Sequence, residues 1–237
     1  MPESPDLTRL RAEYARRRLR LSGSDRYSYF DLAHLFALQS RERQVLQALK
    51  HHGFTRLSEL HALEVGCGGG GVLRQLNQWG MPGSRLHGVD LLFDRLIEAQ
   101  LSLPAAALAH ADGQALPYPE ASFDLVLQFT ALSSILDARV KQRIAAEMQR
   151  VLKPTGLILW YDFWLNPTNR QTRGIRPAEV RRLFPGCRYE FHRITLAPPI
   201  ARRLVGLSWS LAGILESLRI FNSHYLVGIQ KAHPMGG

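Results

Sequence analysis

Apolar positions recur at helical spacing in the first part of the chain and switch to short strand-like runs after about residue 61. Ser4-Pro5-Asp6 reads as a helix start, with proline at the first helical position. The stretch that follows to about Leu21 is rich in arginine and weakly apolar, as in a peripheral helix or a mobile arm. Asp31 is placed to cap a second helix. Its apolar positions Leu32, Leu35, Phe36, Leu38, Val45, Leu46 and Leu49 follow helical periodicity, and Gly53 stops it. Beyond residue 61, HALEV, RLHGV, ALAHA, FDLVLQF and GLILWYDF read as strands. They alternate with helices at Val72–Trp79, Phe93–Leu101 and about Ala138–Leu152. Such alternation predicts an α/β fold with a parallel sheet and crossover helices. RYEFHRITL and HYLVGIQK read as two further strands around an apolar segment from Ile200 to Phe221. No crossover helix follows the last strand, which is therefore expected to be an antiparallel edge strand.

Composition narrows the class without changing this outline. The chain has 237 residues, 46% apolar and 21% charged, enough for one good-sized core and unlike disordered or collagenous sequences. The first twenty residues lack the apolar stretch and small-residue cleavage site of a signal peptide. Two isolated cysteines, Cys67 and Cys187, argue against a zinc site or disulfide framework and fit a cytoplasmic location. Charge is uneven. Residues 61–139 carry 4 basic and 8 acidic side chains, whereas residues 140–237 carry 15 basic and 5 acidic ones. An acidic middle and a basic C-terminal part suit two ligands of different charge, or a solvated basic surface.

The strongest local signal is Glu64-Val65-Gly66-Cys67-Gly68-Gly69-Gly70-Gly71, between a predicted strand and a predicted helix. Glycines there let the backbone turn tightly and approach a ligand. Gly66, Gly68 and Gly71 also fit the dinucleotide pattern, but Glu64 just before them opposes a pyrophosphate and suits an amine. Asp90 ends the next strand, where a carboxylate accepts ribose hydroxyls. Asp112-Gly113 ends the third strand, where Asp112 is placed to meet an adenine amine.

These elements, with Leu116-Pro117-Tyr118, Ser122-Phe123-Asp124-Leu125-Val126 and Leu152-Lys153-Pro154-Thr155-Gly156, resemble the class I S-adenosylmethionine-dependent methyltransferases. The likeness is to the small-molecule group (methyltransferase domain type 11) that includes the ubiquinone and menaquinone C-methyltransferases. Gly113, Tyr118 and Thr155 depart from its usual alanine, phenylalanine and glycine. The resemblance covers residues 60–163 clearly. It implies a Rossmann-like, doubly wound, mostly parallel seven-stranded sheet with an antiparallel last strand, plus N-terminal helices, and S-adenosyl-L-methionine as cofactor. It implies that Gly66, Cys67, Gly68 and Gly70 approach the methionine part and that Glu64 orients the loop or the amino group. Asp90 and Leu91 would take ribose and adenine, Asp112 and Gly113 the adenine edge, and Gln128 the methionine end beside the acceptor. Residues 1–55 would form an arm or lid. Residues 56–237 would form the methyltransferase domain, with 196–222 as an insertion covering the acceptor site.

Ligands of such sheets sit at the carboxyl ends of the strands. Asp162 is the base candidate by position, and His224 is the second catalytic candidate. Thr130, Asn166, Arg173 and Arg176 are the acceptor-binding candidates, the arginines suiting phosphate or carboxylate. The cluster Tyr27, Tyr29 and Phe30 is expected to pack against the sheet. The segment Leu204–Phe221, read as a helix, would cover a sheet face, close over an apolar acceptor, or lie on a membrane surface beside Arg202 and Arg203. The expected activity is metal-independent methyl transfer to a small or lipid-linked, anionic acceptor such as a prenyl diphosphate, a phospho-sugar or a carboxylated natural product. RNA methylation, a nicotinamide-dependent oxidoreductase and a non-catalytic membrane- or partner-binding protein are the competing readings. No DNA partner is expected, and the oligomeric state is left open.

Overall fold

A computed structural model of the chain describes residues 5–21, 28–165 and 171–232. The elements in order are α1 (Pro5–Leu21), α2 (Leu32–His51), β1 (Ala62–Val65), α3 (Gly71–Gln78), β2 (Leu86–Asp90), α4 (Phe93–Ser102), β3 (Ala107–His110) and β4 (Phe123–Phe129). They continue with α5 (Ala138–Val151), β5 (Leu152–Phe163), α6 (Pro177–Leu183), β6 (Cys187–Leu196), α7 (Pro198–Leu204), α8 (Trp209–Ser217) and β7 (Asn222–Lys231). The strands form one seven-stranded sheet in the order β3-β2-β1-β4-β5-β7-β6. β1 to β5 pair in parallel, and β7 pairs antiparallel with both β5 and β6.

Alternation along the strands feeds two cores. Leu63, Val126, Ile158, Trp160 and Val227 point to the layer made with α5 and α6. Leu125, Leu127, Leu157, Leu159 and Leu226 point to the layer made with α2, α3 and α4. Central strands covered on both faces read as unbroken apolar runs, as β4 and β5 do. Between α5 and α6 the fully buried Lys141 donates from Nζ to Glu179 Oε1 at 2.7 Å.

Two expectations change. The last strand is antiparallel but is not an edge: Leu226, Val227 and Ile229 are apolar on both faces, and β7 inserts between β5 and β6. The edge goes instead to β6, where Arg188, Glu190 and His192 alternate with Tyr189 and Phe191 and leave one side polar. The apolar segment is two short helices, α7 and α8, separated by a turn over 205–208 that contains Gly206. Ser208 caps α8, its Oγ accepting from Leu211 N at 3.2 Å. Neither helix lies on the sheet's central strands; with α2 and the end of the edge strand β6 they form a small core of Phe36, Leu196, Ala201, Val205 and Ala212.

Candidate functional site

Beyond β1 the chain turns at Gly66 and Gly68, whose φ angles are +78° and +51°. The amides of Gly66 and Cys67 both donate to Val89 O, at 2.8 and 3.1 Å, and tie the loop to the end of β2. A Cβ on Gly66 would sit 2.6 Å from Ala131 Cβ, so no larger residue fits there without movement. Asp90 completes the tie. Its Oδ2 accepts from Gly68 N at 2.7 Å and its Oδ1 from Leu92 N at 2.8 Å. Asp112 is held in turn by Gln114, which donates to it from backbone N and from Nε2.

These turns enclose a cavity of about 310 Å³ at the carboxyl ends of β1, β2, β3 and β4. Glu64, Gly66, Cys67, Gly68, Asp90 and Leu91 line it, as do Asp112, Gly113, Gln128 and Thr130. Three carboxylates from successive strand tips therefore share one hollow. Gly70 does not face it. Its φ of +74° opens α3, and a Cβ there would press on Ala99 of α4 and on Leu103 just after it.

Burial governs the ionisation of the wall. Glu64 is fully enclosed, and loss of solvent pushes its carboxyl up to about 8, with Arg41 opposing the shift. Burial also pushes the Cys67 thiol up, which leaves it a poor nucleophile at neutral pH. Thr130 holds a φ of +59°, costly for a β-branched residue, and donates from its backbone N to Tyr161 O at 2.7 Å.

The two catalytic candidates lie outside the cavity wall. Asp162 is buried behind Gln128. It accepts from Gln128 Nε2 at 3.2 Å, Ser133 N at 2.9 Å and its own following amide, Phe163 N, at 2.9 Å. Burial raises it to about 6, with these hydrogen bonds pulling the other way. His224 stacks on Tyr161 with centroids 4.7 Å apart and planes 4° from parallel, and it touches Phe163. Its Nδ1 meets Ser223 Oγ at 2.9 Å, and burial drives the ring down to about 3, so the imidazole is neutral. A base acts within hydrogen-bond reach of the proton it takes, and neither side chain borders the cavity. Arg173 and Arg176 are solvent-exposed and do not line the cavity, and Arg173 meets the site region only through its backbone N on Ser133 O. Asn166 lies outside the described residues, as does Tyr27. Tyr29 and Phe30 are exposed rather than packed on the sheet. No residue of 196–222 lines the cavity.

The sequence suggested an arm or lid within residues 1–55 but did not single out the α1 side chains that border the cavity. Leu7, Leu10 and Tyr14 bring α1 over the cavity. Arg9 anchors that helix, donating to Ser134 O at 2.7 Å and to Gln171 Oε1 at 2.9 Å. From α2, Arg41 also enters the wall. Its guanidinium lies 5.7 and 5.8 Å from the ring centres of Phe129 and Tyr161 and donates to Gln75 Oε1 at 3.3 Å. The available signal was its position: Arg41 interrupts the apolar stripe of Leu38, Val45 and Leu49, where a charge is otherwise unfavourable.

Among the buried polar atoms left without a hydrogen-bond partner are Glu64 Oε2, Gln128 Oε1 and Arg41 Nε, all on residues of this cavity. Buried polar groups are normally satisfied, so their coincidence marks a place built for a ligand.

Several known proteins that this chain resembles are methyltransferases. Residues 63–160 match the family described as a methyltransferase domain. The chain is 32% identical over 194 residues to a malonyl-[acyl-carrier protein] O-methyltransferase of Enterobacter lignolyticus, covering 75% of this chain and 71% of that protein. It is 30% identical over 127 residues to the ubiquinone/menaquinone biosynthesis C-methyltransferase UbiE of Bordetella avium, covering 54% and 41%. The chain thus spans less than half the length of several relatives it matches. A crystal structure of an S-adenosylmethionine-dependent methyltransferase from Mesorhizobium loti shares the fold, with a TM-score of 0.57 and 19% identity over 80% of this chain and 97% of that one. The glycine turn tied to Asp90, the three strand-tip carboxylates and these likenesses agree, and the chain belongs to the class I S-adenosylmethionine-dependent methyltransferases.

Proposed function

We propose that this chain transfers a methyl group from S-adenosyl-L-methionine to a small or lipid-linked acceptor bearing an anionic group. The carrying observation is the trio of unpartnered buried atoms around one cavity. Glu64 Oε2 is an acceptor suited to an ammonium, and Arg41 Nε is a donor suited to a carboxylate. Together they fit the amino-acid end of the cofactor, while Asp90 and Asp112 fit its ribose and adenine. When bound, the cofactor supplies a methyl carbon made electrophilic by its sulfonium.

The protein's own work is positioning. Gln128 borders the cavity with its Nε2 held by Asp162, so Asp162 acts as a positioning residue through Gln128. Thr130, fixed by its backbone bond to Tyr161, sets the wall beside it. Alignment of this kind supplies roughly 7–11 kcal/mol in well-oriented reactions, so the buried neutral His224 is not needed as a base. Leu7, Leu10 and Tyr14 close the roof as a lid and exclude water from the reacting atoms. With Arg41 assigned to the cofactor, an anionic group on the acceptor is supported by Arg95, the other cation of the wall, rather than by Arg173 or Arg176.

Titration calorimetry with S-adenosylhomocysteine tests the reading. Saturable binding is expected for the wild type, together with transfer of tritium from methyl-labelled cofactor to anionic solvent-extractable metabolites. Gln128→Leu should retain most of the binding while losing transfer. Absence of binding to the wild type overturns the proposal.

A further inference from the structure

The face formed by α7, α8 and the start of α2 is apolar and cationic at once. Leu211 and Ile214 lie on the outer side of α8, with Leu218 exposed just past its end, while Ala212 and Leu215 face inward. Leu207 is 83% exposed and Ile214 60%. Ile220 and Phe221 continue the exposed apolar surface beyond the helix. The start of α2 joins this unit through Phe36, whose ring meets Trp209 edge-on at 5.2 Å. Phe30, 95% exposed, and Leu32 stand at that end of α2. A monomer in water rarely carries so many large exposed apolar side chains in one region.

The charges of this face have one sign. Within 197–221 the basic residues are Arg202, Arg203 and Arg219, all exposed, and the only acid is Glu216. Glu216 turns inward, where its Oε2 accepts from Ser40 Oγ at 2.7 Å and its Oε1 from Leu196 N at 3.0 Å. Asp31, between Phe30 and Leu32, is likewise engaged in capping α2. Glu216 is thus turned inward and Asp31 is engaged as a cap, while the arginines are left out. A second copy of the chain would bring the same arginines and no opposing acid, so isologous pairing would set like charges together. Among the described residues no helix is long and apolar enough to cross a membrane.

We propose that this face docks on an anionic lipid bilayer, with Leu211, Ile214, Leu218 and Phe30 entering the headgroup boundary and Arg202, Arg203 and Arg219 meeting lipid phosphates. The inference is independent of the methyl-transfer reading. It also suits it, since α2 leads from the docked end at Leu32 to Arg41 in the cavity over about 14 Å.

Co-sedimentation of the full chain with vesicles tests it, comparing equal parts phosphatidylglycerol and phosphatidylcholine with phosphatidylcholine alone. Binding is expected to the anionic vesicles and to fall with added salt. Ile214→Glu should weaken it by about tenfold or more. Removing Arg202 and Arg203 as glutamines should weaken it about fivefold per charge. Melting temperatures within a few degrees of wild type show that the variants fold, and Leu218→Ser serves as a milder apolar variant if Ile214→Glu does not. The proposal is overturned if the wild type stays in the supernatant with anionic vesicles at low salt, or if the apolar variants sediment like wild type. It is equally overturned if light scattering shows a dimer that these variants dissolve while vesicle binding is unchanged.

Discussion

The cavity at the glycine turn and the outer face of α7–α8 depart from ordinary protein packing in opposite senses. In the first, polar atoms of Glu64, Gln128 and Arg41 are buried without partners. In the second, large apolar side chains such as Leu207 and Ile214 stand in solvent. Each arrangement is unfavourable in isolation, because desolvated polar groups and hydrated apolar groups both cost free energy. The first is relieved by a polar ligand that enters, the second by an apolar phase outside. Region by region, the side chains that fail to satisfy themselves point to the kind of partner missing.

The largest effect is expected at Asp90, which holds both the loop and the proposed ribose site. Asp90→Ala removes acceptors from Gly68 N and Leu92 N as well as from the ligand. Charge-assisted bonds contribute about 1.5–3 kcal/mol each, so S-adenosylhomocysteine should bind on the order of 100-fold more weakly. A loss of less than about threefold would remove Asp90 from the ligand-binding wall.

The two regions also differ in how far the sequence disclosed them. The glycine turn and the acids at 64, 90 and 112 are local signals, because each strand tip brings its own residue to the same edge of a parallel sheet. The roof is not local. Leu7 and Leu10 reach the cavity only because α1 folds back, with Arg9 donating to Ser134 O, 125 residues later. Nor could spacing show that Asp162 stands behind Gln128, since that depends on the pairing of Gln128 with Trp160. The place of β7 was misread for the same reason: hydrogen-bonding neighbours are a property of the sheet, and only its two-sided apolar pattern hinted at an interior strand.

Arg41 gives the next effect in size. Arg41→Leu should weaken S-adenosylhomocysteine binding about tenfold while leaving methylthioadenosine, which lacks the amino-acid end, nearly unchanged. Equal losses for both ligands would mean that the side chain supports the wall through Phe129 and Tyr161 instead of meeting a carboxylate.

Glu64 adds a smaller, pH-dependent effect. Its folded value near 8 lies above the ordinary 4.5, so the ligand-free protein holds a proton that the unfolded chain has lost. Stability of the ligand-free form should therefore fall as pH rises across that interval. A cationic amine favours the carboxylate, so binding of S-adenosylhomocysteine should release a proton and tighten up to about pH 8. Calorimetry in buffers of different ionisation enthalpy reads that proton directly. Glu64→Gln should abolish the release, and a wild type without buffer dependence would contradict the assignment.

The smallest effect separates the two regions most sharply. Ile214 is mostly exposed, so replacing it with serine removes little buried apolar area. Ile214→Ser should change folding stability by no more than about 0.5 kcal/mol, measured by urea denaturation. An isoleucine that the fold itself required would behave differently, since truncating buried aliphatic groups costs about 1 kcal/mol or more. A near-silent result therefore has content: the side chain does nothing for the isolated chain, and its apolar surface serves contact with something else. A loss well above about 1 kcal/mol would mean that α8 packs more tightly in solution, and the contrast with the cavity would dissolve.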